Sequence, residues 1–416
     1  MIVDSSVYSG LCSCGREHKM ITRAAIIESG AMKKLDKYLA EYGISGKCCA
    51  LYGENSYAAT ADRHPQVFQE IILKSEGLHA NEISTAEVLE KMDKAVEIIL
   101  AIGSGTIHDI ARYCAYERGI RFVSLPTAAS VDGFCSTVAA MTWYGYKKTM
   151  TAVAPEIVVA DTDIVKNAPV ELVRSGIGDI MAKYTALAEW RIANLLTGEY
   201  LCPVIYELMN KAADTAMDSV DGILKGEAEA FENVTYALVM SGIAMQMMGN
   251  SRPASGAEHH ISHMIEMEPE KFEVKFPALH GEKTGVGTVI ASKEYYRLRE
   301  IDDISLCVKD YAPVSDVKLS EFFGERLADA VIGENKNDSL APVSRERLIE
   351  CWAQIREIIS KIPTAEELYA ILEKLDAKRC LEDIGVSADS EATLLEYSPL
   401  VRNRLTLMRM RRMINI

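Results

Sequence analysis

Short apolar runs alternate with amphipathic stretches along the first two-fifths of the chain. The apolar, β-branched runs predict strands at Ala24–Glu28, Lys47–Tyr52, Glu97–Ile102, Arg121–Leu125 and Glu156–Ala160. The amphipathic stretches predict helices at Ala31–Tyr42, Gln66–Glu76 and Ile107–Arg118. Apolar strands that alternate with helices are typical of a parallel sheet covered on both faces, which binds nucleotides beyond the carboxyl ends of its strands. We therefore expect a Rossmann-like α/β domain over residues 1–168.

Helical periodicity dominates the remainder of the chain. Long helical patterns cover Val170–Leu196, Pro203–Leu224, Thr235–Met248 and Arg345–Ile362. They are interrupted at residues 249–253, 268–280 and 333–344, where glycine, proline or polar residues accumulate. These patterns predict an all-helical second domain over residues 169–416.

The composition and net charge of the chain limit the classes of molecule that we expect it to bind. At 416 residues the chain is long enough for two domains. Its net charge of −15 disfavours binding to nucleic acid or to an anionic membrane surface, since both are polyanions. No apolar run approaches the roughly 20 residues that span a bilayer. The scattered cysteines and the absence of a signal-like N-terminus favour a cytoplasmic protein.

The segment IGSGTIHDIARY, residues 102–113, has the pattern of a phosphate-binding turn. A predicted strand ends at Ile102, two glycines allow a tight turn at Gly103 and Gly105, and a helix is expected from about Ile107. Free N–H groups and the positive end of a helix attract phosphate at such a turn. The pattern is not specific by itself, because many strand–glycine–helix turns bind no ligand.

A second loop, SLPTAASVDGFCS, follows the next predicted strand. It carries three small hydroxyl residues, Thr127, Ser130 and Ser136, and one acid, Asp132. These side chains are suited to hydrogen bonds with a nicotinamide or a polyol. An ordinary helix cap at Asp132 explains the acid equally well.

Histidines and one aspartate form the most informative pattern. His259 and His263 stand four residues apart, and so share one face of a helix predicted to begin near Ala257. His280 is expected at a loop-to-helix junction, and Asp179 at the start of another helix. Neutral imidazoles with one carboxylate suit Zn²⁺, Ni²⁺ or Fe²⁺, zinc being the first choice. Taken singly, each residue is explained as well by a cap or a core position.

Cys12, Cys14 and His18 in CSCGREH raise the question of a small structural metal site. One residue between two cysteines is unusual for zinc, and the sequence offers no evident fourth ligand. We expect ordinary thiols here.

Taken in order, four motifs resemble the iron-containing alcohol dehydrogenase superfamily, and within it the sn-glycerol-1-phosphate dehydrogenases. The motifs are PTAAS-x-DG, SG-x-GD-x-x-AKY, SRPASGAEH-x-x-SH and LHGEK-x-GVG. The resemblance implies a dehydroquinate-synthase-like fold, a homodimer, NAD or NADP as cofactor, and one divalent metal ion. It also implies hydride transfer between the nicotinamide and a small polyol phosphate, interconverting dihydroxyacetone phosphate and sn-glycerol 1-phosphate.

The same resemblance assigns roles to individual residues. It makes Asp179, His259 and His280 the metal ligands, and places Asp132, His263 and Asp179 near the substrate. Arg252, in SRPAS, is our candidate for the substrate phosphate. The residues expected to hold the cofactor are Gly103, Ser104, Gly105, Thr106, Asp109, Thr127, Ser130 and Ser136.

Three positions depart from the family pattern. Ser104 replaces the middle glycine of the phosphate turn, and Arg112 replaces a lysine. Gly53 occupies the place of an acid that would bind the ribose 2′-hydroxyl, although Glu54 beside it offers a substitute. The choice between NAD and NADP therefore stays open.

Three alternative functions also remain. The first is a glycerol or other small-polyol dehydrogenase on the same scaffold. The second is a dehydroquinate-synthase-like cyclase, which the loop sequence SVDGFCSTVAA disfavours. The third is a catalytically silent nucleotide-binding regulator, which would be expected to have lost part of the metal triad.

Overall fold

A computed structural model describes residues 1–144 and 146–415 of the chain. In chain order its strands are β1 (Ile2–Asp4), β2 (Gly10–Leu11), β3 (Glu17–His18), β4 (Ala24–Glu28), β5 (Cys48–Gly53), β6 (Gln69–Leu73), β7 (Ile98–Gly103), β8 (Arg121–Pro126), β9 (Val138–Trp143), β10 (Tyr146–Thr151) and β11 (Ile157–Asp161). Strands β2 and β3 form one small antiparallel pair, and β9 and β10 form another.

The main sheet has seven strands in the order β1-β4-β11-β8-β7-β5-β6. All neighbouring strands are parallel except β1, which runs antiparallel to β4 at the edge. The five predicted strands are present, with bounds shifted by at most one residue. The parallel sheet places the ends of β7 and β8, and the loops that follow them, at the same edge.

The prediction of a helix over Gln66–Glu76 is wrong, because this segment contains the edge strand β6. Its side chains alternate between exposed and buried, with Ile71 and Leu73 buried and Ile72 exposed. That period of two belongs to a strand, and the run is too short to establish a helical period.

The helices follow the same chain order. They are α1 (Leu35–Glu41), α2 (Glu54–Ala59), α3 (Glu82–Lys91), α4 (Gly105–Arg118), α5 (Thr162–Lys166), α6 (Val170–Met181), α7 (Lys183–Thr197), α8 (Pro203–Asp218), α9 (Val220–Lys225), α10 (Ala228–Met248), α11 (Ala257–Met267), α12 (His280–Arg299), α13 (Asp316–Asn335), α14 (Arg345–Ile359), α15 (Ala365–Lys374), α16 (Glu391–Tyr397) and α17 (Leu407–Met410).

These elements form two compact units. The first comprises Met1–Ile180 and Glu207–Ser251, and contains the seven-stranded sheet. In β5, β7 and β8, alternate side chains enter two different apolar clusters. Leu100 and Ile102 of β7 pack with residues of α1, whereas Ile99 packs with residues of α3 and α4. Burial on both faces explains why the central strands are almost wholly apolar.

The second unit comprises Met181–Tyr206 and Arg252–Ile416. It is built from helices, and its extended backbone among the described residues includes one isolated bridge between Val308 and Ile414. The fold class predicted from the sequence, a Rossmann-like parallel sheet followed by a helical part, is confirmed. The domain boundary between residues 168 and 169 stays a prediction.

Among the described residues, no helix combines the length and apolar character needed to cross a bilayer.

Candidate active site

The glycine-rich turn follows β7 as predicted. Gly103 ends the strand, Ser104 has extended backbone, and α4 begins at Gly105, two residues before the predicted start. A Cβ atom on Gly103 would lie 2.7 Å from Ile107, so the turn is too tight for any larger residue. Ser104 makes no side-chain cap to α4. The first turn of a 14-residue helix therefore presents backbone N–H groups where a phosphate would be stabilised.

The loop after β8 is tied to this turn and to a buried arginine. The N–H of Thr127 donates to the carbonyl of Gly103 at 3.0 Å. The guanidinium of Arg112, fully buried in α4, donates to the carbonyls of Gly133 at 2.5 Å and of Ser136 at 2.9 Å. Arg112 thus fixes the backbone of the loop from within, which gives a structural role to a residue that departs from the family pattern.

The predicted cofactor residues of this loop differ in their surroundings. The hydroxyl of Ser130 is buried and has no hydrogen-bond partner in the part of the chain that the structure describes. The hydroxyl of Ser136 is engaged locally, since it donates to the carbonyl of Val138 at 2.9 Å. Thr127 is also nearly buried. Ser130 is therefore the side chain of the loop best placed to gain a partner when a ligand binds.

Helix α6 packs directly on the same loop. A Cβ atom on Gly176 would lie 2.1 Å from the carbonyl oxygen of Ala129, so only glycine permits this approach. The hydroxyl of Ser175 donates to the carbonyl of Ser130 at 3.1 Å. Asp179 follows one turn later on the helix. The prediction that Asp179 opens a helix is wrong, because α6 begins at Val170 and Gly176 is a packing position within it.

Asp132 and Asp179 are linked by one hydrogen bond. The backbone N–H of Asp132 donates to Oδ2 of Asp179 at 3.0 Å. The carboxylate of Asp132 accepts from the hydroxyl of Ser241 in α10 at 2.8 Å. Asp132 begins a short 3-10 helix, Asp132–Cys135, and the N-cap of that helix is Val131. Asp132 therefore does not cap this helix, which was the alternative explanation of the acid in the sequence.

Three imidazoles from α11 and from the start of α12 form a group. His259 and His263 lie one turn apart on α11, and His280 is the first residue of α12, as predicted. Ring centroids are 5.5 Å apart for His259 and His280, and 5.9 Å apart for His263 and His280. Burial holds the pKa of His263 well below its ordinary value; the charge of Glu266 opposes this and the neighbouring imidazoles reinforce it.

A carboxylate lies behind each of two histidines. Nδ1 of His259 is 2.9 Å from Oε1 of Glu258, and Nδ1 of His280 is 3.3 Å from Oε1 of Glu266. Such partners fix the ring orientation and turn Nε2 away from the carboxylate, the usual arrangement for histidines that bind metal. Lys283 also pairs with Glu266, at 2.7 Å.

Glu258 belongs to a buried acidic pair with Glu189. Burial would raise the pKa of Glu258, but the hydrogen bond and charge of His259 and the hydroxyl of Thr185 hold it below its ordinary value. Burial and the charge of Glu258 raise the pKa of Glu189. Glu258 is therefore the ionised member of the pair, which makes it the stronger acceptor for His259.

Asp179, His259 and His280 each offer one ligand atom, and these atoms all lie within 4.8 Å of one another. One carboxylate and two imidazoles are a donor set that Zn²⁺, Ni²⁺ and Fe²⁺ accept. The two carboxylates behind the imidazoles complete the surroundings expected of a metal site. The residues present therefore fit a divalent cation.

Arg252, the predicted phosphate ligand, is buried and engaged with the protein. Its Nε donates to Glu199 at 2.8 Å, and one Nη donates to the carbonyls of Glu189 and Leu405. This position does not favour binding of a substrate phosphate by Arg252.

Other functional candidates escaped the sequence analysis. The carboxylates of Glu258 and Glu266 were missed although Glu258 adjoins His259, because a glutamate inside a helix is usually a surface residue. The side chain of Arg404 donates to the carbonyl of Ser255. Burial lowers the pKa values of His260 and His263, and the charge of Arg402 adds to this effect. The only signal of these arginines is the basic segment LVRNRL near the end of an acidic chain.

Comparison with known proteins identifies the family of the chain. A family model described as iron-containing alcohol dehydrogenase matches residues 26–169. The glycerol-1-phosphate dehydrogenase (NAD(P)+) of Geobacillus stearothermophilus is 36% identical over 79% of this chain and 75% of its own length. That of Halalkalibacterium halodurans is 31% identical over 95% of this chain and 94% of its own. The chain belongs to the glycerol-1-phosphate dehydrogenase family. NAD(P) and a divalent metal fit this family.

Solved structures support the fold. A probable glycerol dehydrogenase from Sinorhizobium meliloti superposes with a TM-score of 0.60 at 18% identity, covering 92% of this chain and 90% of its own. A sulfoacetaldehyde reductase from Bifidobacterium kashiwanohense, solved with NAD+, has a TM-score of 0.60 at 12% identity, covering 95% and 97%. At these identities the likeness concerns the fold alone.

Proposed function

We propose that the protein is an NAD(P)-dependent dehydrogenase that interconverts dihydroxyacetone phosphate and sn-glycerol 1-phosphate with the help of one divalent cation. The observation that carries the proposal is the convergence of Asp179, His259 and His280 in a chain whose relatives are named for this reaction. Zinc is the first choice of cation, with nickel and iron as alternatives. A homodimer and a cytoplasmic location remain predictions.

The cation would be held by Asp179, His259 and His280, and when bound it would supply Lewis-acid stabilisation of developing negative charge on the substrate oxygen. Glu258 and Glu266 hold the two imidazoles in place through Nδ1. These contacts fix the donor atoms before the ligand arrives, which lowers the entropic cost of binding.

Two side chains are assigned to the substrate. Asp132 keeps its carboxylate oriented through Ser241, and so can accept a hydrogen bond from a substrate hydroxyl. Nδ1 of His263 is buried and has no hydrogen-bond partner among the described residues. Its depressed pKa keeps the imidazole neutral near pH 7, so that it can donate at one nitrogen and accept at the other.

The cofactor is assigned to the turn and the loop at the edge of the sheet. The N–H groups at the start of α4, from Gly105 and Thr106, would bind its pyrophosphate. The orphaned hydroxyl of Ser130 would bind the nicotinamide end. Glu54, the exposed first residue of α2, accepts from the N–H of Ser75 at 3.0 Å and would contact the ribose 2′-hydroxyl.

The phosphate of the substrate is assigned to Arg402 and Arg404 in place of Arg252. Arg252 is neutralised by Glu199. Burial is the main reason that the pKa values of His260 and His263 are low; the charge of Arg402 lowers both further, and the charge of Arg404 lowers that of His260. Arg402 therefore supplies positive potential at His263, whereas Arg404 supplies it at His260, which does not share the helix face of His259 and His263.

The test is a spectrophotometric assay of NADH and NADPH oxidation. Dihydroxyacetone phosphate and dihydroxyacetone are compared before metal removal, after chelation, and after return of Zn²⁺, Ni²⁺ or Fe²⁺. We expect turnover with the phosphorylated ketone, its loss with the chelator and its recovery with one cation. Asp179→Asn should abolish that recovery, whereas His79→Ala, a change at an exposed histidine, should not. A preference for the unphosphorylated ketone, or activity indifferent to chelation, would overturn the proposal.

A further inference from the structure

A second group of potential metal ligands lies away from the histidines of α11 and α12. Cys12, Cys14, His18 and Cys202 each offer one ligand atom, and these atoms all lie within 4.8 Å of one another. The first three belong to the hairpin of β2 and β3, and Cys202 immediately precedes α8. None of these cysteines is in a disulfide. The donors are thus three thiols and one imidazole.

The hairpin holds its donors by backbone geometry. The N–H of Cys12 donates to the carbonyl of Arg16 at 2.9 Å, and the N–H of Gly15 donates to the carbonyl of Cys12 at 2.9 Å. Gly15 has φ of 84°, a left-handed conformation that glycine adopts without strain. In the sequence, the single residue between the two cysteines argued against a metal site. The tight turn of the hairpin brings the two cysteines together despite this spacing.

His18 is oriented by a carbonyl of α10. Its side chain is nearly buried, and Nδ1 lies 2.8 Å from the carbonyl oxygen of Met247. Since a carbonyl only accepts, Nδ1 carries the proton and donates. Nε2 then has a lone pair, and it lies 3.6 Å from Sγ of Cys14. A histidine with one nitrogen donating to a carbonyl and the other directed at a thiol is arranged as a metal ligand.

Cys202 supplies the ligand that the sequence did not reveal. It is fully buried, and its carbonyl accepts from the N–H of Tyr206 in the first turn of α8. The chain separates it so far from the CSCGREH segment that no spacing rule relates the two.

We propose that Cys12, Cys14, His18 and Cys202 bind one zinc ion in a closed, structural site. Tetrahedral zinc, with bonds of about 2.3 Å to sulfur and about 2.0 Å to nitrogen, places a thiolate and an imidazole nitrogen about 3.5 Å apart. The separation of 3.6 Å between Cys14 and His18 agrees with that geometry. Four protein donors leave no position for water, so the ion stabilises structure and takes no part in hydride transfer. The thiol protons leave to solvent as the ion binds.

Cobalt substitution tests the proposal on the full-length protein. Co²⁺ bound to thiolates has a charge-transfer absorption in the near ultraviolet, which a site made of one carboxylate and two imidazoles cannot give. We expect this absorption in the protein as it exists and in His280→Ala. It should be lost in Cys14→Ser and retained in Cys48→Ser, a change at a half-buried cysteine outside the group.

X-ray absorption at the zinc edge of the His280→Ala protein gives a second measurement that needs no cysteine variant. We expect one zinc per chain, with three sulfur neighbours and one nitrogen neighbour. The proposal is overturned if the zinc shell lacks sulfur, if the cobalt absorption is absent, or if thiol titration of the metal-loaded protein shows Cys12, Cys14 and Cys202 still reactive. These outcomes do not depend on the dehydrogenase activity.

Discussion

Nδ1 of His259 lies 2.9 Å from Oε1 of Glu258, the residue that precedes it on the same helix. Glu258 is fully buried, and its other oxygen accepts from the hydroxyl of Thr185 at 2.6 Å. Burial of a charged carboxylate is costly unless its hydrogen bonds are satisfied. The protein therefore maintains a desolvated charge that orients the imidazole of His259.

Glu258→Gln is expected to weaken metal binding without unfolding the protein. The amide keeps the shape of the side chain but removes the charge behind His259, and the loss of such a partner lowers metal affinity by about 10- to 100-fold. The measurement is a competition titration with a chromophoric chelator, together with activity as a function of added metal. Glu300→Gln, at an exposed position, is the control. Unchanged metal affinity would contradict the role given to Glu258.

Gly176→Ala is expected to displace the loop that carries Ser130. The new methyl group would meet the carbonyl oxygen of Ala129 at 2.1 Å, a backbone atom that cannot rotate away. Overpacking of this kind costs about 1–3 kcal/mol, so we expect a lower midpoint of thermal unfolding and a raised KM for NADH. Gly133→Ala, where an added Cβ has no atom within 4 Å, should change neither quantity. Equal behaviour of the two variants would argue against this packing role.

Arg402→Met is expected to discriminate between phosphorylated and unphosphorylated substrates. Loss of a charge-assisted hydrogen bond is worth about 1.5–3 kcal/mol, which corresponds to a KM for dihydroxyacetone phosphate raised by about 10- to 100-fold. The KM for dihydroxyacetone should be unaffected. Arg299→Met serves as the matched control, since this arginine is partly exposed and faces Glu300. A uniform loss with both substrates would indicate a structural role for Arg402 instead.

Glu54→Gln is expected to shift the cofactor preference towards NADPH. A carboxylate near the 2′-position repels a phosphate there, and its removal should raise the ratio of kcat/KM for NADPH over NADH at least about fivefold. The control is Glu76→Gln, which removes a nearby exposed charge but leaves the hydrogen bond between Glu54 and Ser75 intact. If both variants shift the ratio equally, the effect is one of general charge and Glu54 does not contact the ribose.

The sequence predicted the parts of the site that depend on local pattern. The alternation of buried runs and helices located β4, β5, β7, β8 and β11, and the spacing of His259 and His263 placed both on one helical face. The sequence did not predict features that depend on how the elements pack. The edge strand β6 was mistaken for a helix because five residues do not establish a period, and Asp179 was placed at a helix start because its neighbouring glycines resemble a break.

Other features of the site depend on long-range contacts that the local sequence does not reveal. Nothing in the local sequence indicates that Arg252 is neutralised by Glu199, or that Cys202 comes close to Cys14. Both facts depend on segments that meet only in the folded chain. A residue type can be recognised as a candidate from sequence, but its charge state and partners belong to the tertiary structure.

The hydrogen bond from the N–H of Asp132 to Asp179 has a thermodynamic consequence. Under the proposed assignment, one of its residues lies in the cofactor loop and the other binds the cation. Binding of the nucleotide or of the cation would then shift the backbone amide of Asp132, which the two sites share. By reciprocity, the factor by which the nicotinamide nucleotide changes cation affinity equals the factor by which the cation changes nucleotide affinity.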